Sequence, residues 1–311
     1  MANKRINNIV LPDRVVTNYL TTFIRKMNVF YSYSGKKIPH FVLFASKLVE
    51  IDILGVLLLY KFLEYSVNNQ CFYNPTAVDL DKVKPRIAAF GFGPLISGCF
   101  NDSKKMLNEY NSLKPYVNSM NFLISPIRLY SGNKNREEIE QNCFRSISGF
   151  YSNDSQSDMI FMVMSELVGN FYSHSNDKGN SIIVAYGNQR YVEIACADSG
   201  DGITKTLCKQ FPNKNETDIL DSAVKRGISS KPRSDHMGNG LWLIDETVRR
   251  NGGRLLIYSN NACFDRIGNK KQCFNAPLWN GSIVYVKLDI LKPINISEII
   301  IPNNRIKAHY I

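Results

Sequence analysis

Between Ser155 and Ser175 the sequence specifies a helix with two unlike faces. Ile160, Val163, Met164, Leu167 and Phe171 recur at three- and four-residue spacing, forming a stripe that needs a sheet to pack against. Glu166, Asn170 and His174 recur at four, forming a polar ridge that drifts about 40° per step. Ser155-Gln-Ser-Asp158 reads as a capping box opening this helix. The ridge carries usable chemistry. A carboxylate can take a proton from water or a hydroxyl. A carboxamide oxygen is a hard neutral ligand suited to Mg²⁺, which keeps several waters and also takes phosphate oxygens. Taken alone, the same ridge is equally what a solvated helix face looks like.

Around this helix the periodicities describe an α/β chain. Phe122–Tyr130 reads as a strand and Arg136–Tyr151 as a helix before it; strand signals follow at Ser181–Tyr186, Val192–Ala197, Arg254–Ser259 and Gly281–Leu288. The connection between Gly202 and Gly238 is long and polar, the mark of a functional lid or a disordered segment. Upstream, residues 1–37 are mixed and polar. Phe41–Ala45 is the first strand signal, Gly55–Val67 a helix with Leu58, Leu59, Phe62 and Leu63 on one side, Gln70–Asp79 a second strand and turn, and Val83–Phe90 a short helix capped by Gly91. Asn111-Ser-Leu-Lys-Pro115 marks a boundary. At 311 residues about two domains are expected, here 1–115 and 116–295, followed by a tail at 296–311.

Three further segments carry chemistry. Asp198-Ser-Gly200-Asp-Gly202 follows a strand directly, so its carboxylate stands beside a tight turn that can accept a flat ring, and it can accept a hydrogen bond from an exocyclic amine; Asp-Gly is also common in plain turns. Gly238-Asn239-Gly240-Leu241 leads into an apolar helix, and N–H groups at a glycine-rich helix start bind phosphate. Gly227-Ile-Ser229-Ser230-Lys231 offers hydroxyls and an ammonium that could close on a phosphate, and by itself reads as loop. His236 has the same two readings.

In this order, Glu-x-x-x-Asn on a helix, Asp-x-Gly-x-Gly after a strand and Gly-x-Gly-Leu before a helix resemble the Bergerat-type ATPases, the family of gyrases, ATP-driven chaperones, histidine kinases and MutL-like proteins. The resemblance covers about residues 118–290, and no Walker-type Gly-x-x-x-x-Gly-Lys-Ser/Thr occurs. It implies an α/β sandwich that binds ATP with Mg²⁺. Glu166 is then the general base, Asn170 the Mg²⁺ ligand and Asp198 the reader of adenine, with Gly200 and Gly202 shaping the base pocket. Gly238, Asn239, Gly240 and Leu241 cradle phosphate, Ser229, Ser230 and Lys231 close on it, and Ser282 lies near the adenine. Trp242 stands where the family commonly has glycine. Ser165-Glu166 through Asn170 to His174 is similar to the helix of bacterial anti-sigma-factor serine kinases. Only about 20 residues follow Leu288, too few for the transducer domain of gyrase-like and MutL-like proteins. Residues 41–92 resemble a STAS-like domain, the partner and substrate of such kinases, but Asp52-Ile-Leu-Gly55 holds no hydroxyl where that domain carries its phosphorylated serine.

Composition limits what else the chain can be. Charged residues make up 21% and hydrophobic residues 44%, which excludes general disorder. Net charge is +11, with 15 basic against 8 acidic residues in 1–115 and 23 against 19 in the rest. That bias allows phosphate or an acidic partner and names no function. Seven cysteines, an odd number with no zinc-knuckle spacing, point to free thiols and a cytoplasmic location, and no signal or membrane-spanning segment is read. The expected function is Mg-dependent ATP binding with slow hydrolysis that switches a lid or interface in a regulatory protein. The alternatives are a serine/threonine kinase acting in trans and a nucleotide-gated module without turnover. A protein partner at the STAS-like domain or lid and a homodimer are expected. Nucleic-acid binding is a weaker option, through Lys4, Arg5, Arg14, Arg25, Lys26, Lys36 and Lys37 among Phe30, Tyr31 and Tyr33.

Overall fold

The computed structural model describes residues 7–31, 41–68, 79–99, 104–115, 117–129, 136–174, 181–229 and 238–300. It is an α/β protein organised around one five-stranded antiparallel sheet, β5 (Asn121–Leu129), β6 (Ser181–Asn188), β7 (Tyr191–Ala197), β8 (Arg254–Ile267) and β9 (Lys270–Asp289), in the order β5-β6-β7-β9-β8. Successive residues of these strands serve two different cores, as the two-residue period of a strand requires. Ile183 and Ala185 of β6, Ile194 of β7, Leu255 and Ile257 of β8 and Val284 and Val286 of β9 face one side. Ile182, Val184, Ala195, Leu256, Tyr258, Ile283 and Tyr285 face the other. Both faces being covered explains why these strands read as continuous apolar runs rather than alternating ones.

On the first face lie α6 (Arg136–Phe150), α7 (Asp154–His174) and α10 (Gly240–Asn251), whose apolar stripes enter the core at Ile147, Val163, Leu167, Ile244 and Val248. The expected α7 stripe is buried in full, Ile160, Val163, Met164, Leu167 and Phe171 all lying in the core. Its cap differs from the expected box. The helix begins at Asp154, and the Asn153 side chain accepts the Gln156 N–H at 3.3 Å. Asparagine caps at least as well as serine, so the earlier residue takes the role.

The N-terminal part covers the second face. Residues 7–31 carry more structure than their mixed sequence suggests: β1 (Asn7–Val10), β2 (Arg14–Val15) and α1 (Leu20–Tyr31). β1 pairs in parallel with β3 (Phe41–Phe44), and β2 with β4 (Glu50–Ile51). Then come α2 (Ile53–Asn68), α3 (Lys84–Ala89), α4 (Gly93–Gly98) and α5 (Lys104–Asn111); the expected Gln70–Asp79 strand lies outside the described residues, apart from a turn at Asp79. Gly91 closes α3 with φ +74°, the left-handed geometry of a C-terminal glycine cap. α2 is buried on every side from Ile53 to Glu64, not along one stripe as its sequence suggests. It is wedged between the rest of this part and β7, while α1 lies against β9. One continuous core therefore joins Phe23, Leu57 and Phe62 to Ile182 and Tyr285. Each fully buried leucine there contributes about 1.5–3 kcal/mol.

Two buried polar networks fix this packing. Asp52 accepts from the Thr17 N–H at 2.6 Å, the Thr17 hydroxyl at 2.7 Å and the Gly55 N–H at 2.8 Å, tying β2 to the start of α2. On α2, Lys61, only 2% exposed, donates to Glu64 at 2.8 Å; Glu64 also accepts from Tyr60 at 2.7 Å and pairs with Arg128 of β5 at 3.1 Å. Burial beside the Glu64 carboxylate pushes the Tyr60 phenol well above its ordinary value.

The connection expected as a lid or disordered segment is mostly folded. α8 (Ile203–Leu207) and α9 (Glu216–Ala223) lie within it, and α9 packs on β8 and β9. These last two strands are longer than expected. They bend at Asn260, whose φ is +50°, and fold back until the Gly268 N–H reaches the Gly253 carbonyl at 2.8 Å. Arg254 clasps Asp265 at 2.9 and 3.1 Å, and Arg266 pairs with Asp245 of α10 at 2.8 Å. A short α11 (Ser297–Ile300) follows, with Ile299 buried, so the start of the expected tail packs on its own chain. Among the described residues no helix is long and apolar enough to cross a membrane, and the six described cysteines form no disulfide.

Candidate functional site

A cleft of about 1180 Å³, counting the open space at its mouth, lies on the side of the sheet that carries α6, α7 and α10, between α7, the start of α10 and the ends of β6, β7 and β9. One end is built by α7. The four-residue spacing of Glu166 and Asn170 puts both on the ridge that meets α10, with the apolar stripe holding the helix to the sheet behind them. Gly240, the first residue of α10, lies directly against that ridge. A methyl group on it would stand 2.4 Å from Glu166 Oε2 and 3.5 Å from Asn170 Oδ1. Only glycine lets the N–H groups at the start of a 12-residue helix come this close to a carboxylate and a carboxamide.

The other end is built by Asp198. Its own N–H donates to the Ser282 carbonyl at 2.9 Å, and its Oδ1 accepts from the Gly200 N–H at 2.8 Å and the Ser282 N–H at 3.2 Å. Trp279, 1% exposed, donates from its indole N–H to the Asp198 carbonyl at 3.3 Å. Gly281 has φ +114°, and a Cβ there would strike the Asp198 carbonyl and carboxylate, so β9 reaches the aspartate only through glycine. Gly202, φ +83°, turns the chain against Asn260 and Ser259, and Thr204 secures the turn by donating its hydroxyl to Asn260 at 2.6 Å. A carboxylate offers about four acceptor sites, so the two bonds that orient Oδ1 do not by themselves exhaust it.

The third wall joins the two stems of the 203–237 connection. Gly238, φ +68°, packs on Gly227 and Ile228; Asn239 accepts the Gly227 N–H at 3.2 Å; and the Arg226 guanidinium stacks 4.9 Å from the Trp242 ring. Trp242 thus clamps the stems together, a use for a bulky residue at that position.

The structure brings Glu166, Asn170, Asp198, Gly202, Ser229, Gly238, Gly240, Leu241 and Ser282 to this one cleft. Gly200 and Asn239 are not among its lining residues: the first shapes the Asp198 turn and the second holds the stem. Ser230, Lys231 and His236 lie outside the described residues, as does the side chain of His174. Sequence reasoning missed Arg136 and Cys196, and it missed Ile203, Thr206 and Ala223, which lay in the segment expected to be a lid. Ile203 opening a short helix after a glycine was the available sign for that wall. Arg136 carried none, because its place depends on how α6 crosses α7. Among the described residues no three His, Cys, Asp or Glu side chains gather as a metal cluster. The oxygen donors at the α7 end, one carboxylate and one carboxamide, suit a hard cation that takes its remaining ligands from water and phosphate. No protein-family model matches the chain, and no curated protein matches it.

Proposed function

We propose that the chain binds Mg·ATP in this cleft and hydrolyses it slowly, as a Bergerat-type ATPase does. The observation that carries the reading is convergence. Three separate segments between Glu166 and Gly240, each weak alone, meet around one cavity with their chemistry facing inward: Glu166 and Asn170, Asp198 with Gly202, and Gly238 with Gly240. Asp198, oriented by backbone donors at the cleft floor, accepts a hydrogen bond from the exocyclic amine of the purine. The α10 N-terminus and its glycine turn receive phosphate oxygens. Asn170 would hold Mg²⁺, which supplies charge neutralisation between the phosphates when bound. Glu166 takes a proton from water attacking the terminal phosphorus. Positioning and charge stabilisation provide most of the rate.

The N-terminal part, whose sequence resembles a STAS-like domain, has a fixed docking or sensing role in this proposal. Its Asp52–Gly55 segment is buried on the sheet face opposite the cleft, where a methyl group on Gly55 would stand 1.8 Å from the Val15 carbonyl oxygen. A phosphoryl group leaving the cleft therefore goes to water or to a hydroxyl of another chain, not to that segment.

Calorimetric titration with Mg·ATP tests the binding. The wild-type chain is expected to bind one nucleotide per chain. Asp198→Asn, which exchanges an acceptor oxygen for a donor, is expected to weaken binding by about 10- to 100-fold, the usual cost of a lost charge-assisted hydrogen bond. No binding heat from folded wild-type protein, or a variant indistinguishable from it, sinks the proposal.

A further inference from the structure

β9 is irregular beside Asp198. It runs in register with β8 as far as the Ser259–Ser282 pair, and Asn260 is then paired with Trp279, so β9 carries Asn280 and Gly281 as two extra residues. Bulges of this kind occur beside functional sites and re-aim side chains. This one presses Gly281 onto Asp198, where a Cβ would stand 2.3 Å from the carbonyl oxygen. It also sets Trp279, 1% exposed, in the core on the sheet face opposite the cleft, with Tyr258 and Ile283. The Tyr258 hydroxyl holds the same stretch by donating to the Pro277 carbonyl at 2.7 Å. From that core the Trp279 indole N–H reaches the Asp198 carbonyl at 3.3 Å.

Asp198 continues the β7–β9 ladder, its N–H donating to the Ser282 carbonyl at 2.9 Å. In a regular antiparallel pair the Ser282 N–H would donate back to the Asp198 carbonyl. Here it donates to the Asp198 carboxylate, at Oδ1, at 3.2 Å, while the carbonyl accepts from the indole. Resting on the Mg·ATP reading above, we propose that Trp279 is a positioning residue of the purine site. Its donor at the carbonyl keeps the Ser282 N–H on the carboxylate, and so holds the carboxylate in the direction that meets the exocyclic amine. Once the indole N–H is removed, the Ser282 N–H can swing from Oδ1 back to the carbonyl, and the carboxylate turns away. Trp279 touches no nucleotide and acts through Asp198. Its ring belongs to the core shared with α1 and α2, so the base-reading end of the cleft depends on the packing of the N-terminal part.

The test is a double-mutant cycle on the full chain, titrated calorimetrically in Mg²⁺ with the non-hydrolysable triphosphate AMP-PNP. Trp279→Phe keeps an aromatic ring in the core and removes the N–H. It is expected to weaken AMP-PNP binding by about 3- to 10-fold, the range of one neutral hydrogen bond. In the Asp198→Asn background the same change is expected to cost less than about 2-fold, because no carboxylate remains to be aimed. Should Trp279→Phe not fold, the benzothiophene analogue of tryptophan at position 279, of the same shape with sulfur in place of N–H, makes the same comparison. An unchanged affinity overturns the proposal. So does an equal loss in both backgrounds, which marks Trp279 as core packing alone. Wild-type protein that binds no nucleotide contradicts the site reading itself, a result distinct from both.

Discussion

Glu166→Gln is expected to keep Mg·ATP affinity within a few-fold of wild type and to lower phosphate release by roughly 10²- to 10⁴-fold, the span of a lost general base. Glutamine has the shape of glutamate and retains a carbonyl oxygen, so the close approach of Gly240, which leaves no room for a methyl group beside Oε2, is preserved. What disappears is the ability to accept a proton. The substitution therefore separates holding the nucleotide from consuming it. Single-turnover phosphate release and calorimetry on the same preparation make the comparison. Equal release by variant and wild type removes Glu166 from the chemistry. Binding by a wild type that releases no phosphate, even with its partner present, leaves a nucleotide-gated module.

Gly55→Ala is expected to destabilise the protein by roughly 3–5 kcal/mol or to prevent folding, among the largest effects a single methyl group can have. The new carbon would fall 1.8 Å from the Val15 carbonyl oxygen and 2.8 Å from Ile51 Cγ1. Neither neighbour can yield cheaply. Val15 belongs to the β2–β4 pair and is 0% exposed, and the same turn carries the Asp52 bonds to Thr17 and Gly55. Because α2 is buried on all sides and continuous with the back of the sheet, the loss spreads to the scaffold of the cleft. Chemical denaturation followed by circular dichroism reads it directly. A variant as stable as wild type contradicts the packing of β2 against α2.

How much of this was legible in the sequence varies by element for physical reasons. α7 and α10 were readable because their stripes pack on one face of a sheet, so helical period and burial coincide. β6 and β7 were readable as apolar runs. α2 gave its position but not its environment, since a helix buried all round shows no polar side from which to tell the buried one. α8 and α9 were missed because they are five and eight residues long and depend on β8 and β9 for support. The bend at Asn260 hid half of each of those strands, as it breaks the two-residue alternation. At the site, glycines and carboxylates in fixed spacing marked the residues contributed by single segments. Arg136 and Trp279 act across elements distant in sequence, and no local pattern announces them.

A crystal structure of the full chain with Mg²⁺ and AMP-PNP tests the central claim most directly. The account predicts the purine amine within hydrogen-bonding distance of Asp198, the phosphates at the start of α10 beside Gly240, and the cation on Asn170. A nucleotide bound away from this cleft, or a cleft left empty at saturating nucleotide, contradicts it.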